Sequence, residues 1–447
     1  MAKDMTQGRI FPLIIKFTIP LVLGNLLQLT YNAMDSIIVG RFVGDEALAA
    51  VGTGNPLITL ILLFVQGICL GASVLIATMY GAKEFDRLKR QVSTAMIAGI
   101  VFSLVVMVIC LIITPLLLSV LQVDAEIMGE AVLYLRIILC GILFSFIYNF
   151  FASTLRAMGD SRSPLIFLSI SAIINIIGDL IFVLWFSMGV VGCAISTVAS
   201  EALSCLLCWI YIKKRIPLLN LGRSWLVFDK GMLKETLQYG FVSAMQQSTV
   251  QLGKVGMQGI VNTQGVSAMA AFTAATRIDD FALIPEHNIS HAMMSVMAQN
   301  RGAGKYERVK ESFRVGLMLE LGYGFIVGVA LYLFARPIME LFSGSLEVIK
   351  LGEGYLKLIA FMYVIPALTN AIQGYFRGMG DLKVTLWSSI VNMGVRVLAS
   401  IPLVFWLGKG VEALPWSYLA GWIAMILFEV PFLVKKRVWA NGKAKIK

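Results

Sequence analysis

Long apolar runs, separated by short polar stretches, dominate the chain. Twelve of them, over 12–38, 51–79, 92–118, 131–153, 163–186, 190–212, 236–262, 269–297, 313–334, 353–376, 383–406 and 412–434, carry few charges. About 20 apolar residues cross a bilayer core as a helix. The pattern therefore predicts an all-α polytopic membrane protein with twelve transmembrane helices. Strands of a membrane barrel would read as alternating segments of about 10 residues, and these runs are far longer and unbroken. The first run is also too long for the apolar core of a cleaved signal peptide and lacks a small-residue cleavage site.

Composition narrows the function classes. Hydrophobic residues make up 58% of the 447 and charged residues 14%, against roughly 25% charged in a soluble domain. Such a chain cannot cover a water-facing surface, which excludes a soluble enzyme; its apolar content excludes disorder. The net charge of +11 would point to nucleic acid in a soluble protein. Here its placement decides otherwise. With a cytoplasmic N-terminus, 28 of the 37 Lys and Arg residues fall in inside segments and only Arg41, Arg336, Lys350 and Lys409 in outside loops. That bias is the positive-inside pattern, so the charge reports topology: both termini are expected in the cytoplasm, and no nucleic-acid partner is expected. The six cysteines all fall inside predicted spans, and no disulfide is expected.

The chain is also a duplication. At an offset of 221 in residue number, Arg156-Ala-Met-Gly-Asp160 matches Arg377-Gly-Met-Gly-Asp381, Gly81-Ala82 matches Gly302-Ala303, Asn149 matches Asn370, and Gly44 matches Gly265. The repeat unit is six helices, so the halves share one orientation and are expected to be related by a pseudo-two-fold axis along the membrane normal. The domains read as an N-terminal six-helix lobe over 1–212, a cytoplasmic linker over 213–235, a C-terminal six-helix lobe over 236–434 and a basic cytoplasmic tail over 435–447. Two similar lobes can rock about a central site, which favours a secondary transporter. No GxxxxGK[ST] phosphate loop is present, so the chain itself is not expected to hydrolyse ATP.

Charges inside a span are costly and mark candidate sites. Asp35 ends a polar stripe with Gln28 and Asn32 on one face of the first span. Asp179 lies in the fifth, with Asn175 one turn before it, and Thr197 lies in the sixth. Two carboxylates, an amide carbonyl and a hydroxyl offer the hard oxygens that suit Na⁺; two carboxylates close together would instead share a proton. In the second half Lys254 can pair with an aspartate or with Glu286. Glu286 and His287 offer a proton relay or a substrate contact, and with His291 they lack the further ligand a metal site requires. Glu429 is read as snorkelling towards Lys435 at the inner surface.

Several of these segments together resemble the multidrug and toxic compound extrusion (MATE) transporters, over essentially the whole chain. The carriers are Met34-Asp35, Val39-Gly40-Arg41, Tyr134-Leu135-Arg136, Leu155–Asp160 with Pro164, and Asn175 with Asp179. In the second half they are Gln299–Lys305 and Arg377–Asp381. The resemblance implies a bacterial cytoplasmic-membrane antiporter, not an enzyme and without a cofactor; because one chain contains both lobes, a monomer is expected to function. Such a protein exports organic cations and other amphipaths in exchange for Na⁺ or H⁺ by rocker-switch alternating access. It implies a cation site at Asp35, Asn175, Asp179 and Thr197; Asn32, Lys254, Glu286 and His287 are read, from the residues and not from the resemblance, as further coupling or substrate contacts. A lipid-linked oligosaccharide flippase of the same superfamily is the alternative.

Overall fold

The computed structural model describes residues 3–219 and 227–439. The middle of the expected linker, 220–226, and the end of the expected tail, 440–447, lie outside the described residues. Among the described residues everything regular is helical. The first repeat holds α1 (Ile10–Phe42), α2 (Asp45–Gly81), α3 (Phe85–Val120), α4 (Ala125–Ala157), α5 (Arg162–Leu180) and α6 (Gly189–Arg215). The second holds α7 (Lys230–Val261), α8 (Val266–Gly302), α9 (Tyr306–Phe342), α10 (Leu346–Ala360), α11 (Val364–Gly378), α12 (Leu382–Ile401) and α13 (Leu414–Trp439). Among the described residues nine helices are long and apolar enough to cross a membrane, or ten if α10 and α11 count as one bent span. α7 and α8 are as long as the others but more polar. The outer face of α3 exposes Val101, Val105, Ile112 and Leu116, an apolar surface that only lipid covers without cost.

The offset between the repeats reappears in the backbone. Asp45–Gly81 and Val266–Gly302 have both ends related by it, and α5 and α12 each continue into a wide π-helical turn, Ile181–Trp185 and Pro402–Trp406. The repeated Arg-x-Met-Gly-Asp motif has a local reason. Gly159 and Gly380 sit at φ +85° and +76°, a left-handed conformation that glycine adopts without strain. Around them Asp160 N–H donates to Leu155 O at 2.9 Å and Gly159 N–H to Arg156 O at 3.0 Å, and Asp381 and Gly380 repeat the pattern on Phe376 and Arg377. That crossed pair of bonds is the Schellman helix stop. Asp160 then starts α5: its carboxylate accepts from the main-chain N–H groups of Arg162 and Ser163 and from the hydroxyls of Ser163 and Tyr211. Both copies of the motif stop a helix, and in the first copy the aspartate also starts the next one.

One expected span is broken. The run over 353–376 folds as α10 and α11, bent by 54°, where its counterpart α4 is continuous. Pro366 has no N–H for the carbonyl of Met362 and its ring crowds that carbonyl. The turn is closed instead by Ile365 N–H donating to Met362 O at 2.8 Å.

By backbone contacts the chain divides into one unit of 1–5 with 19–244 and another of 6–18 with 245–447. In the first, α4 packs against α2, α3 and α6, and α5 against α6. In the second, α8 packs against α9, α10 and α11, and α12 against α13.

Candidate functional site

The first unit gathers its intramembrane acids where α1, α5 and α6 meet. Helical period places Asn175 and Asp179 on one face of α5, and both are buried. Asn175 Nδ2 lies 3.5 Å from Asp179 Oδ1, 3.4 Å from Ser196 Oγ and 3.4 Å from Thr197 Oγ1. Ser196 returns a bond, its hydroxyl donating to Asn175 O at 2.9 Å. Asp35, half-buried on α1, brings its carboxyl within hydrogen-bonding reach of the Asp179 carboxyl and of Thr197. Asn32, one turn earlier, is exposed and stands outside this group. Among the described residues three oxygens, Asp35 Oδ1, Asp179 Oδ2 and Asn175 Oδ1, are buried without a donor, and no lysine or arginine is paired with either acid. Two carboxylates this close repel; a proton or a small cation between them removes the repulsion. The four residues singled out by spacing thus converge.

Three neighbours were not legible as site residues. Ser196 precedes Thr197 and bonds to Asn175. Tyr31 lies near Asp35 and Glu201. Glu201, one turn after Thr197 on the same face of α6, accepts a bond from Ser145 at 2.5 Å. For Glu201 the i,i+4 spacing from Thr197 was the available signal; Tyr31 and Ser196 carry none.

The second unit does not repeat this arrangement. At the offset of 221, Asp35 becomes Gly256, Asn175 becomes Arg396, Asp179 becomes Ser400, Thr197 becomes Tyr418 and Glu201 becomes Trp422. The Arg396 guanidinium lies 3.9 Å from the Tyr418 ring centre and 5.3 Å from that of Trp422, a cation held on aromatic faces. The layer that holds acids in one unit therefore holds a tethered cation in the other. Asp279 lies near this guanidinium and accepts from the Tyr363 hydroxyl.

The remaining expected contacts are all in the second unit. Lys254 pairs with Asp280, Nζ to Oδ1 2.8 Å, both half-exposed; Glu286 is not its partner. Glu286 is fully buried and accepts from Asn370 Nδ2 at 3.2 Å. His287, next in sequence, turns to the exposed side, near Arg377, Lys254 and Asp280. Glu429 does not snorkel: it is fully buried beside Ser388, Gln373 and Arg377. Among the described residues no group of three or more His, Cys, Asp or Glu side chains is placed to hold a metal ion.

Comparison with known proteins gives a single answer. The sequence profile of the MatE family matches residues 20–181 and 243–401. The chain is 28% identical over 396 residues to the probable multidrug resistance protein YoeA of Bacillus subtilis (strain 168), covering 87% of this chain and 85% of that one. It is 27% identical over 410 residues to the probable multidrug resistance protein YpnP of the same organism, covering 91% and 92%. A solved transporter of the MOP superfamily from Pyrococcus furiosus superposes with a TM-score of 0.90 at 22% identity over 99% of this chain and 98% of that one. This last likeness concerns the fold.

Proposed function

The chain belongs to the MatE family, a family of membrane transporters and not of enzymes, and from that premise we propose that it is a secondary active multidrug antiporter. In this reading it exports organic cations and amphipathic drugs from the cytoplasm of a bacterial cell in exchange for Na⁺ or H⁺. It sits in the cytoplasmic membrane with both termini inside, works as a monomer and alternates access by a rocker-switch motion of its two lobes. The observation that carries the coupling is the approach of Asp35 to Asp179 over three buried oxygens that lack donors. An ion entering from outside is held by both carboxyls, with Asn175 and Thr197 completing the site. Each positive charge driven inward by the membrane potential supplies about 2.3 kcal/mol per 100 mV. Coupling follows if the ion binds one access state better than the other. Asn32 and, in the second unit, Lys254, Glu286 and His287 serve as further coupling or substrate contacts.

The test is efflux of a fluorescent organic cation from proteoliposomes under a Na⁺ gradient and, separately, a pH gradient. Coupled efflux that disappears in Asp35→Asn supports the antiporter and names its ion. Efflux that is indifferent to both gradients, or intact in Asp35→Asn, overturns the coupling site, and absence of any efflux moves the reading to a lipid-linked oligosaccharide flippase.

A further inference from the structure

A cleft of about 460 Å³, counted to its mouth, opens in the second unit where α9 begins and α11 and α13 end. Helical period puts Tyr306, Lys310 and Phe313 on one face of the first two turns of α9. Tyr375 in the last turn of α11, Met379 just after it and Leu433 near the end of α13 supply the other walls. Phe313 and Tyr375 meet edge to face, ring centres 5.2 Å apart. Among the described residues Lys310 is the cleft's one charged lining residue. Its Nζ lies 2.8 Å from Glu307 Oε1, and Glu307 is 86% exposed. An ion pair so open to water holds weakly, so an anion at the membrane interface can take the place of Glu307.

The first unit fills the corresponding place with its own chain. At the offset of 221, Lys310 corresponds to Lys89, Phe313 to Val92, Tyr375 to Thr154 and Leu433 to Ile212. Val92, Thr154 and Ile212 are all buried. After α6 stops at Arg215, the chain turns through Pro217–Leu219, which packs on α3 and α6, with Ile216 and Leu219 buried. Arg215 corresponds to Lys436, but α13 runs on as a helix to Trp439. The residues that leave the helix in the first unit stay helical in the second. Among the described residues no such turn therefore covers the cleft.

What is left open is amphipathic. Two rings, a thioether and a leucine line it beside one ammonium group, and the surrounding charge is positive. Arg314, one turn beyond Lys310, and Lys435, two residues beyond Leu433, are both exposed, and Lys436-Arg437 follow in sequence. Tyrosines and basic residues at the ends of spans belong to the membrane–water interface, and basic pockets between helix ends hold acidic lipid headgroups. We propose that this cleft binds one anionic phospholipid, with its phosphate on Lys310 and one acyl chain against Phe313, Tyr375, Met379 and Leu433. An acidic peptide would suit the ammonium group but not the apolar walls; a neutral lipid would suit the walls and leave the charge unused. The leaflet, the inner one, rests on the topology proposed above; the site itself does not depend on the antiport reading.

Native mass spectrometry of the full-length protein tests it, with phosphatidylglycerol and, separately, phosphatidylcholine of the same acyl chains titrated in detergent. The wild type is expected to retain one phosphatidylglycerol in preference to phosphatidylcholine. Lys310→Gln should weaken phosphatidylglycerol about fivefold, the contribution of one lysine at an anionic surface, and leave phosphatidylcholine unchanged. Leu433→Trp, which fills the apolar part of the cleft, should weaken both. Lys89→Gln, at the corresponding position of the first unit, should change neither. The proposal falls if the wild type shows no headgroup preference, if Lys310→Gln retains phosphatidylglycerol as the wild type does, if Leu433→Trp weakens neither lipid, or if Lys89→Gln costs as much as Lys310→Gln. It falls also if the preference appears only in a chain cut after Trp439, which would make residues 440–447 the occupant.

Discussion

The proposed coupling site has one sharp consequence: Asp35 and Asp179 are expected to serve one ion together. Each is to be changed to asparagine, singly and in combination, which removes charge and preserves shape. At about 4 Å and an effective dielectric of about 20, a carboxylate attracts a monovalent cation by about 4 kcal/mol. Losing that attraction lowers affinity by close to a thousandfold, at about 1.4 kcal/mol per decade. Asp35 is half-buried and Asp179 fully buried, so the loss for Asp179→Asn is expected to be at least as large. The assay is titration of intrinsic tryptophan fluorescence in the purified protein, with NaCl at alkaline pH and with acid in the absence of Na⁺. A shared site predicts that either single variant weakens binding of the whole ion and that the double variant weakens it further. Two separate sites predict that each single variant keeps half of the binding at unchanged affinity. Wild-type affinity in either single variant refutes the shared site.

Four further outcomes follow from particular contacts. Arg396→Ala should lower the melting temperature by several degrees, because a desolvated guanidinium on two rings contributes about 2 kcal/mol; Arg396→Lys should recover only part of it, since an ammonium does not stack. Gly159→Ala should cost about 1–2 kcal/mol from the left-handed backbone and more from the Lys3 carbonyl that lies where the Cβ would go, measured as a drop in thermal midpoint without a change in ion dependence. Burial pulls the Asp160 carboxyl up, but its bonds from Ser163 and Tyr211 outweigh that and hold it below its ordinary 3.8. Its stabilisation is therefore present above that value and lost as pH falls through the lower folded one, so Asp160→Asn should flatten the acid limb of a melting-temperature profile. Pro366→Ala should restore the hydrogen bond of the α10–α11 turn, straighten the bend and pull Tyr363 from Asp279, seen as slower amide exchange across 361–367 and a lower midpoint.

Much of this was readable along the chain, for reasons that differ by residue. Asn175 and Asp179 are one helical turn apart, so the helical period puts them together without any tertiary knowledge, and Asp35 announces itself as a carboxylate in an apolar run. Glu320 does not. A single acid in α9 has no periodic companion to mark its face. Glu429 misled because the basic residues just beyond it offer a plausible snorkelling direction, while its real neighbours, Gln373, Arg377 and Ser388, lie on α11 and α12. The bend before Pro366 was hidden because hydropathy over 353–376 runs on through a backbone break. The rings under Arg396 are not legible along the chain because Tyr418 and Trp422 belong to the next helix, where their i,i+4 spacing reads as ordinary packing.

The duplication makes these misses informative. Two copies of one backbone, with helix ends and π-helical turns in register at the same offset, have placed their charges in different layers. Where the first copy sets Asp179 and Asn175 against Asp35, the second sets Arg396 on two aromatic rings; where the second buries Glu286 and Glu320, the first packs Val65 and Gly99 under the Phe146 ring. Neither exchange changes the course of the flanking helices: in one a ring leaves where a carboxyl enters, and in the other a guanidinium with its rings replaces a cluster of small polar groups. A buried charge in one repeat is therefore best judged against its counterpart in the other.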